Sequence, residues 1–203
     1  MSAKRLQSGG SAIDRSRPLS FSFDGHTVTG FAGDTIASAL LANDVAVVGR
    51  SFKYHRPRGI WGAGVEEPNA LVDIGGATPT TPNTRATTEA AREGLVARSV
   101  NATPSAATDR NAFLDRFSRF IPAAFYYKTF IWPDWHMFEP RIRAMAGLGT
   151  VDAEWTPKEP SAQVNHHCDV LVVGAGPAGL AAARLASEAG FSTMLVDDQP
   201  RAS

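Results

Sequence analysis

Gly174, Gly176, Gly179 and Asp197 are the residues whose types and spacing point most directly to chemistry. The glycines lie in VLVVGAGPAGLAAA, after a valine-rich run and at the opening of an alanine-rich one. Asp197 closes the apolar run TMLV, twenty-three residues beyond Gly174. Gly174 permits a tight turn, Gly176 removes a side chain where a backbone can approach a pyrophosphate, and Gly179 lets a helix pack closely on its strand. The amino end of that helix offers unpaired N–H groups and a partial positive charge to phosphates. Asp197 is placed to accept hydrogen bonds from ribose hydroxyls and would repel a 2′-phosphate, which disfavours NADP. The fingerprint alone leaves NAD and FAD open, while Pro177 and the GAGPAG form favour a flavoprotein-type fold with two dinucleotide sites.

A second pattern has spacing without ligands. Gly62, Glu67, Ala70 and Thr87 follow the x4, x2, long-gap spacing of plant-type ferredoxin cysteines, yet none is cysteine. Cys168 is the only cysteine, so the chain cannot form an internal disulfide or an all-cysteine metal site. The expectation is a domain with no iron–sulfur cluster. Glu66 and Glu67 have no His partner at useful spacing for acid–base work. His166, His167, Cys168 and Asp169 alternate in direction on entering a strand, which argues against a metal site. No catalytic residue is expected. Arg50, Lys53, His55, Arg56 and Arg58 crowd the approach to the ferredoxin-like loop. Two readings stay open for them: a solvated loop, or a dock for phosphate or acidic groups of a neighbouring domain or subunit. Pro57 favours the second by restricting Arg56 to extended conformations.

The elements that must position these residues follow from periodicity. LSFSFDGHTVTGF predicts two strands, Leu19–Phe23 and Thr27–Phe31, joined through Asp24-Gly25. GDTIASALLANDV predicts a short helix capped by Asp34 or Thr35, followed by strands at Ala46–Val48 and Ala70–Ile74. The expected fold class is α/β (α+β): a flexible arm at 1–17, a ferredoxin-like β-grasp domain at 18–95, an aromatic-rich connector at 96–165, and the first βαβ unit of a Rossmann-type domain at 166–203. Twenty basic and twenty acidic residues cancel, leaving no long-range field to gather nucleic acid or an anionic membrane. The run Val170–Ala183 is too short and Gly-rich to span a bilayer. The expected location is cytoplasmic, without nucleic-acid or membrane partners.

The runs RSFKYHRPRGIWG, NALVDIGG, FYYKTFIWPDW and VLVVGAGPAGLAAA with LVDDQP resemble the N-terminal part of the alpha subunit of heterotetrameric sarcosine oxidase. The resemblance covers the chain from about Leu19 onward. It implies a ferredoxin-like fold without its cluster and a non-catalytic NAD contacted by Gly174, Gly176, Gly179 and Asp197 with the backbone of Ala175, Pro177 and Ala178. It further implies beta, gamma and delta subunits, with FAD and FMN elsewhere in the complex. In such a complex sarcosine is oxidatively demethylated with oxygen, and tetrahydrofolate captures the one-carbon unit. The alternatives are a subunit of a related amine or amino-acid dehydrogenase, or a catalytically silent scaffold. A parallel sheet needs cover on both faces, so the ending QPRAS leads us to expect a truncated piece that is inactive by itself.

Overall fold

The computed structural model describes residues 5–76, 79–121, 129–147, 149, 153–154, 156 and 162–197. The chain divides into two compact units, Met1–Trp155 and Thr156–Ser203. Residues 122–128, at the centre of the expected aromatic-rich connector, lie outside the described residues.

The first unit is built on a mixed sheet. Strand β1 (Asp14–Phe23) and strand β2 (His26–Ala32) pair antiparallel from Phe23 opposite His26 outward. Asp24 and Gly25 turn the chain with φ of 49° and 80°, the left-handed pair that matches the twist of a two-residue hairpin. Helix α1 (Ile36–Ala42) follows, and Thr35 caps it: its hydroxyl accepts from Ser38 N–H while the Ser38 hydroxyl accepts from Thr35 N–H. Asn43 closes the helix and ties it to β2 by donating to the carbonyls of Ala39 and Thr29.

The expected strand at Ala46–Val48 is not a strand. Val48 is fully buried and donates its N–H to the Arg58 carbonyl, and pairing begins only at β3 (Gly49–Arg50) with β4 (Pro57–Arg58). Its apolar character reports burial rather than ladder pairing. Strand β5 (Leu71–Gly75) lies one residue beyond its expected place.

Two strands of the five-stranded sheet escaped the periodicity. Strand β6 (Pro79–Arg85) reads as a turn-rich segment but pairs antiparallel with β5 as the last strand of the sheet, where an edge tolerates proline. Strand β7 (Val96–Ser99) has four residues, too few to carry a pattern. It nevertheless joins the halves of the sheet, parallel to β1 and antiparallel to β5, in the order β2-β1-β7-β5-β6.

The core of this unit gathers Phe21, Phe23 and Val28 from the hairpin, Ile36, Ala39 and Leu40 from α1, and Val72 and Ala97 from β5 and β7. Residues beyond the sheet form a 3-10 helix (Arg110–Phe120) capped by Asp109 and helix α2 (Trp135–Met145) capped by Asp134. Phe113, Phe117 and Phe120 are exposed along the first of these. The expected N-terminal arm is held by contacts: the Arg5 guanidinium meets both Asp34 oxygens, at 3.1 and 2.7 Å, and Arg15 donates to the Leu6 and Gly9 carbonyls.

The second unit contains strand β8 (Val170–Val173), helix α3 (Pro177–Glu188) and strand β9 (Thr193–Val196). The strands are parallel, in register from Val170 opposite Thr193 to Val173 opposite Val196. Among the described residues no helix is long and apolar enough to cross a membrane.

Leu40 is fully buried where α1 meets the sheet. Leu40→Ala should therefore destabilise the first unit by about 2–5 kcal/mol, the cost of a leucine-to-alanine cavity, as a shift of its denaturant midpoint.

Candidate functional site

The glycine fingerprint lies where β8 ends and α3 begins. Gly174 has φ of +105°, which only glycine adopts readily. A Cβ on Gly179 would fall 1.8 Å from the Gly174 carbonyl oxygen, so this glycine is required by the chain's own packing. Gly176 differs. Its φ is −70°, open to any residue, and a Cβ there would meet nothing within 4 Å. Nothing within the described chain requires that position to be glycine.

Gly176 caps α3, Pro177 occupies the first turn, and among the described residues no side-chain hydrogen bond caps this end. The N–H groups of Ala178 and Gly179 sit in that first turn, where helices leave donors for an outside acceptor. Parallel pairing carries Asp197 to the same edge: its carboxylate accepts the Ala175 N–H at 2.5 Å. Gly174 to Gly179 and Asp197 are thus gathered at one edge of the βαβ unit.

The four ferredoxin-spaced positions also converge, around a side chain rather than an ion. Glu67 is 2% exposed, and its carboxylate is wrapped by backbone. Oε2 accepts from Trp61 N–H at 2.6 Å and Gly62 N–H at 2.5 Å; Oε1 accepts from Asn69 N–H at 2.7 Å and Ala70 N–H at 3.1 Å. Thr87 closes the loop from outside by donating its hydroxyl to the Gly64 carbonyl. Glu66 accepts from Ala63 and Gly64 N–H on the exposed side. Burial disfavours the charged Glu67 carboxylate, but the N–H groups of Gly62, Asn69, Trp61 and Ala70 outweigh it and hold its pKa below the ordinary value.

The basic loop is distributed rather than pooled. Arg50 donates to the carbonyls of Ala106 and His55, Arg56 pairs with Asp115 at 2.6 Å, and Arg58 donates to the Asn69 side chain. Lys53 and Arg56 both lie against the Tyr54 ring. Sequence reasoning counted His55 among the cations of this loop and missed its partner. His55 is buried, with φ of +52°, and its Nδ1 meets Asp109 Oδ2 at 2.6 Å. The two are fifty-four positions apart, and no local pattern joins them. His55 also lines a cavity of about 560 Å³, with Asp73, Asn101, Asn111 and Arg143 among its walls. Among the described residues no three His, Cys, Asp or Glu side chains cluster to hold a metal ion.

Residues 16–102 match the family model of a 2Fe-2S iron-sulfur cluster binding domain, and residues 167–203 match that of an FAD binding domain. The sarcosine oxidase subunit alpha of Rhizobium meliloti (strain 1021) is 53% identical over 98% of this chain, and that of Corynebacterium sp. (strain U-96) is 38% identical over 97%. By sequence, the chain matches the N-terminal part of the sarcosine oxidase alpha subunit. It spans about a fifth of the length of the first of these relatives and 16% of the second. The crystal structure of L-proline dehydrogenase from P. horikoshii aligns with 94% of this chain and 26% of its own, at 15% identity and a TM-score of 0.46.

These matches correct the cofactor expectation. The assignment of NAD to the fingerprint with no iron–sulfur cluster in the chain is withdrawn, because the first unit of this alpha-subunit-like chain matches a 2Fe-2S cluster binding domain and the second an FAD binding domain. The match brings no thiolates with it. The spaced positions are Gly62, Glu67, Ala70 and Thr87, a donor set that does not fit a thiolate-held cluster.

Because the folded pKa of Glu67 is depressed, its contribution to stability is complete above the unfolded carboxylate pKa, about 4.3, and is lost as pH falls through the folded value. Glu67→Gln should cost about 1–3 kcal/mol at neutral pH, by leaving buried N–H groups without a full acceptor. The variant should also flatten the acid limb of the first unit's stability, followed by chemical denaturation at each pH.

Proposed function

We propose that this chain is the N-terminal part of the alpha subunit of a sarcosine oxidase-type flavoprotein complex. The observation that carries the reading is 53% identity to such a subunit across 98% of the chain. In this reading the first unit is a ferredoxin-type β-grasp domain and the second opens a Rossmann-type domain. The complex oxidises the N-methyl group of sarcosine to an imine with oxygen accepting the two electrons as hydrogen peroxide, and water hydrolyses the imine to glycine and formaldehyde. Tetrahydrofolate can take up the one-carbon unit. Beta, gamma and delta subunits complete the assembly, and the location is cytoplasmic.

The residues here bind rather than react. The uncapped start of α3 and the open space over Gly176 support a role for Gly174 to Gly179 in holding the pyrophosphate of an adenine dinucleotide of the FAD class. Such a group would supply redox chemistry at its far end. The contribution of this chain is to orient the adenosine half, with Asp197 leaving Ala175 N–H to meet the ribose hydroxyls. The neutral overall charge and the pairing of Arg56 with Asp115 give no support to nucleic acid as a partner.

The assembly reading is tested by tagging this chain in its full-length form and purifying what accompanies it. Sarcosine-dependent oxygen uptake with equimolar glycine is the expected result. A complex that oxidises L-proline but not sarcosine, or a subunit that purifies alone, would sink the proposal.

The site reading has its own test in a pair of substitutions. Gly176→Val should leave the fold intact, because its side chain enters open space, yet abolish the dinucleotide recovered by acid extraction. Gly179→Ala should instead destabilise the second unit by about 1–3 kcal/mol through the clash with the Gly174 carbonyl. Equimolar dinucleotide in the Gly176→Val protein would place the ligand elsewhere.

A further inference from the structure

The loop from Trp61 to Ala70 arranges its backbone as a receptor. Four N–H groups converge in two pairs, Trp61 with Gly62 and Asn69 with Ala70, and each pair is aimed at one oxygen of the same carboxylate. Concave arrangements of backbone N–H groups bind anions, and pairs aimed at two oxygens fit a planar carboxylate better than a spherical ion. The anion present is Glu67, among the largest fully buried side chains of the first unit. Its burial leaves solvent no share in satisfying those donors. The surroundings reinforce the loop. Thr87 latches the Gly64 carbonyl, Arg85 Nε donates to the Glu67 carbonyl at 3.3 Å, and Asn69 passes the arrangement on by accepting from Arg58. Glu66 occupies its own pair of N–H groups on the exposed side and does not share those of Glu67.

We infer that the Trp61–Ala70 loop is a carboxylate-binding site that the protein fills with its own side chain, Glu67 serving as a tethered ligand. The site's chemical class is a small monocarboxylate, selected over halide by the two-oxygen geometry. With the tether removed, the site accepts a free carboxylate of similar size, and formate is the natural probe. Glu67 is therefore a positioning residue: through Asn69 it fixes Arg58, and through Trp61 it sets the wall of a groove also lined by Tyr54, Arg56 and Pro57.

Hydrogen exchange of the 61–70 segment in the full-length protein tests this. In Glu67→Ala, amide protection there should fall about tenfold or more, and about 100 mM formate should restore it several-fold, while sodium chloride at equal strength does not. Glu67→Gln fills the space without the charge. It should lose protection and show no response to formate. Unchanged protection in both variants would overturn the inference, because the carboxylate would then not be holding the loop. Equal recovery with chloride and formate, or a formate response in Glu67→Gln, would also overturn it, since the effect would then arise outside this site. If Glu67→Ala fails to fold, Glu67→Gln decides alone: protection equal to the parent between pH 6 and 8 removes the charge from the account.

Discussion

A backbone N–H removed from water must find an acceptor, and the first unit contains more irregular chain than its sheet can serve. Acidic side chains supply the difference. Asp24 accepts from Ser99 N–H and Ala106 N–H, Asp34 from Phe31 N–H and the Arg5 guanidinium, Asp109 from Thr103 and Asn111 N–H, and Glu67 from four amides. Asp24 and Asp34 tie a turn to chain far from it in sequence, whereas Glu67 and Asp109 close the loops in which they lie. The small five-stranded sheet and one seven-residue helix hold their shape because these carboxylates fix the segments between them.

Satisfying donors in this way also determines where the unit is vulnerable. Apolar burial is tolerant of small repacking, but a carboxylate shared by several buried amides is not, since losing it strands every donor at once. Glu67 concentrates that dependence in one loop. Asp34 spreads it across the hairpin, the start of α1 and the N-terminal residues, through Phe31, Ser38 and Arg5. Asp109 joins the basic loop to the start of the 3-10 helix by way of His55. These three carboxylates are therefore structural groups of the first unit.

The second unit follows a different logic. It is held by parallel pairing and by a helix that has no room for a Cβ at Gly179 beside the Gly174 carbonyl, and among the described residues no side chain caps the start of α3. One acid, Asp197, meets the glycine turn. The first unit has turned its loop donors inward upon its own carboxylates, whereas the second keeps a glycine at Gly176 that its own conformation does not require. That contrast underlies the proposal of a bound dinucleotide at the second unit alone.

Local signals in the sequence determined what depends on neighbours in the chain. Alternation and Asp24-Gly25 specified the hairpin, the polar residues before Ile36 specified the helix start, and the valine run with its three glycines specified β8, the turn and α3. Strand β7 was illegible because four residues carry no period, and β6 because an edge position admits the prolines that otherwise mark a turn. Spacing alone identified Gly62, Glu67, Ala70 and Thr87 as a set, but as empty ligand positions. Only the folded chain placed a buried carboxylate among them, because the four amides that hold Glu67 have no side-chain signature. His55 and Asp109 were likewise separate residues in the sequence, the first counted among the loop cations and the second carrying no signal. Tertiary structure alone decided that they meet, since burial and long-range pairing are properties of the packed chain, and residue type announces neither.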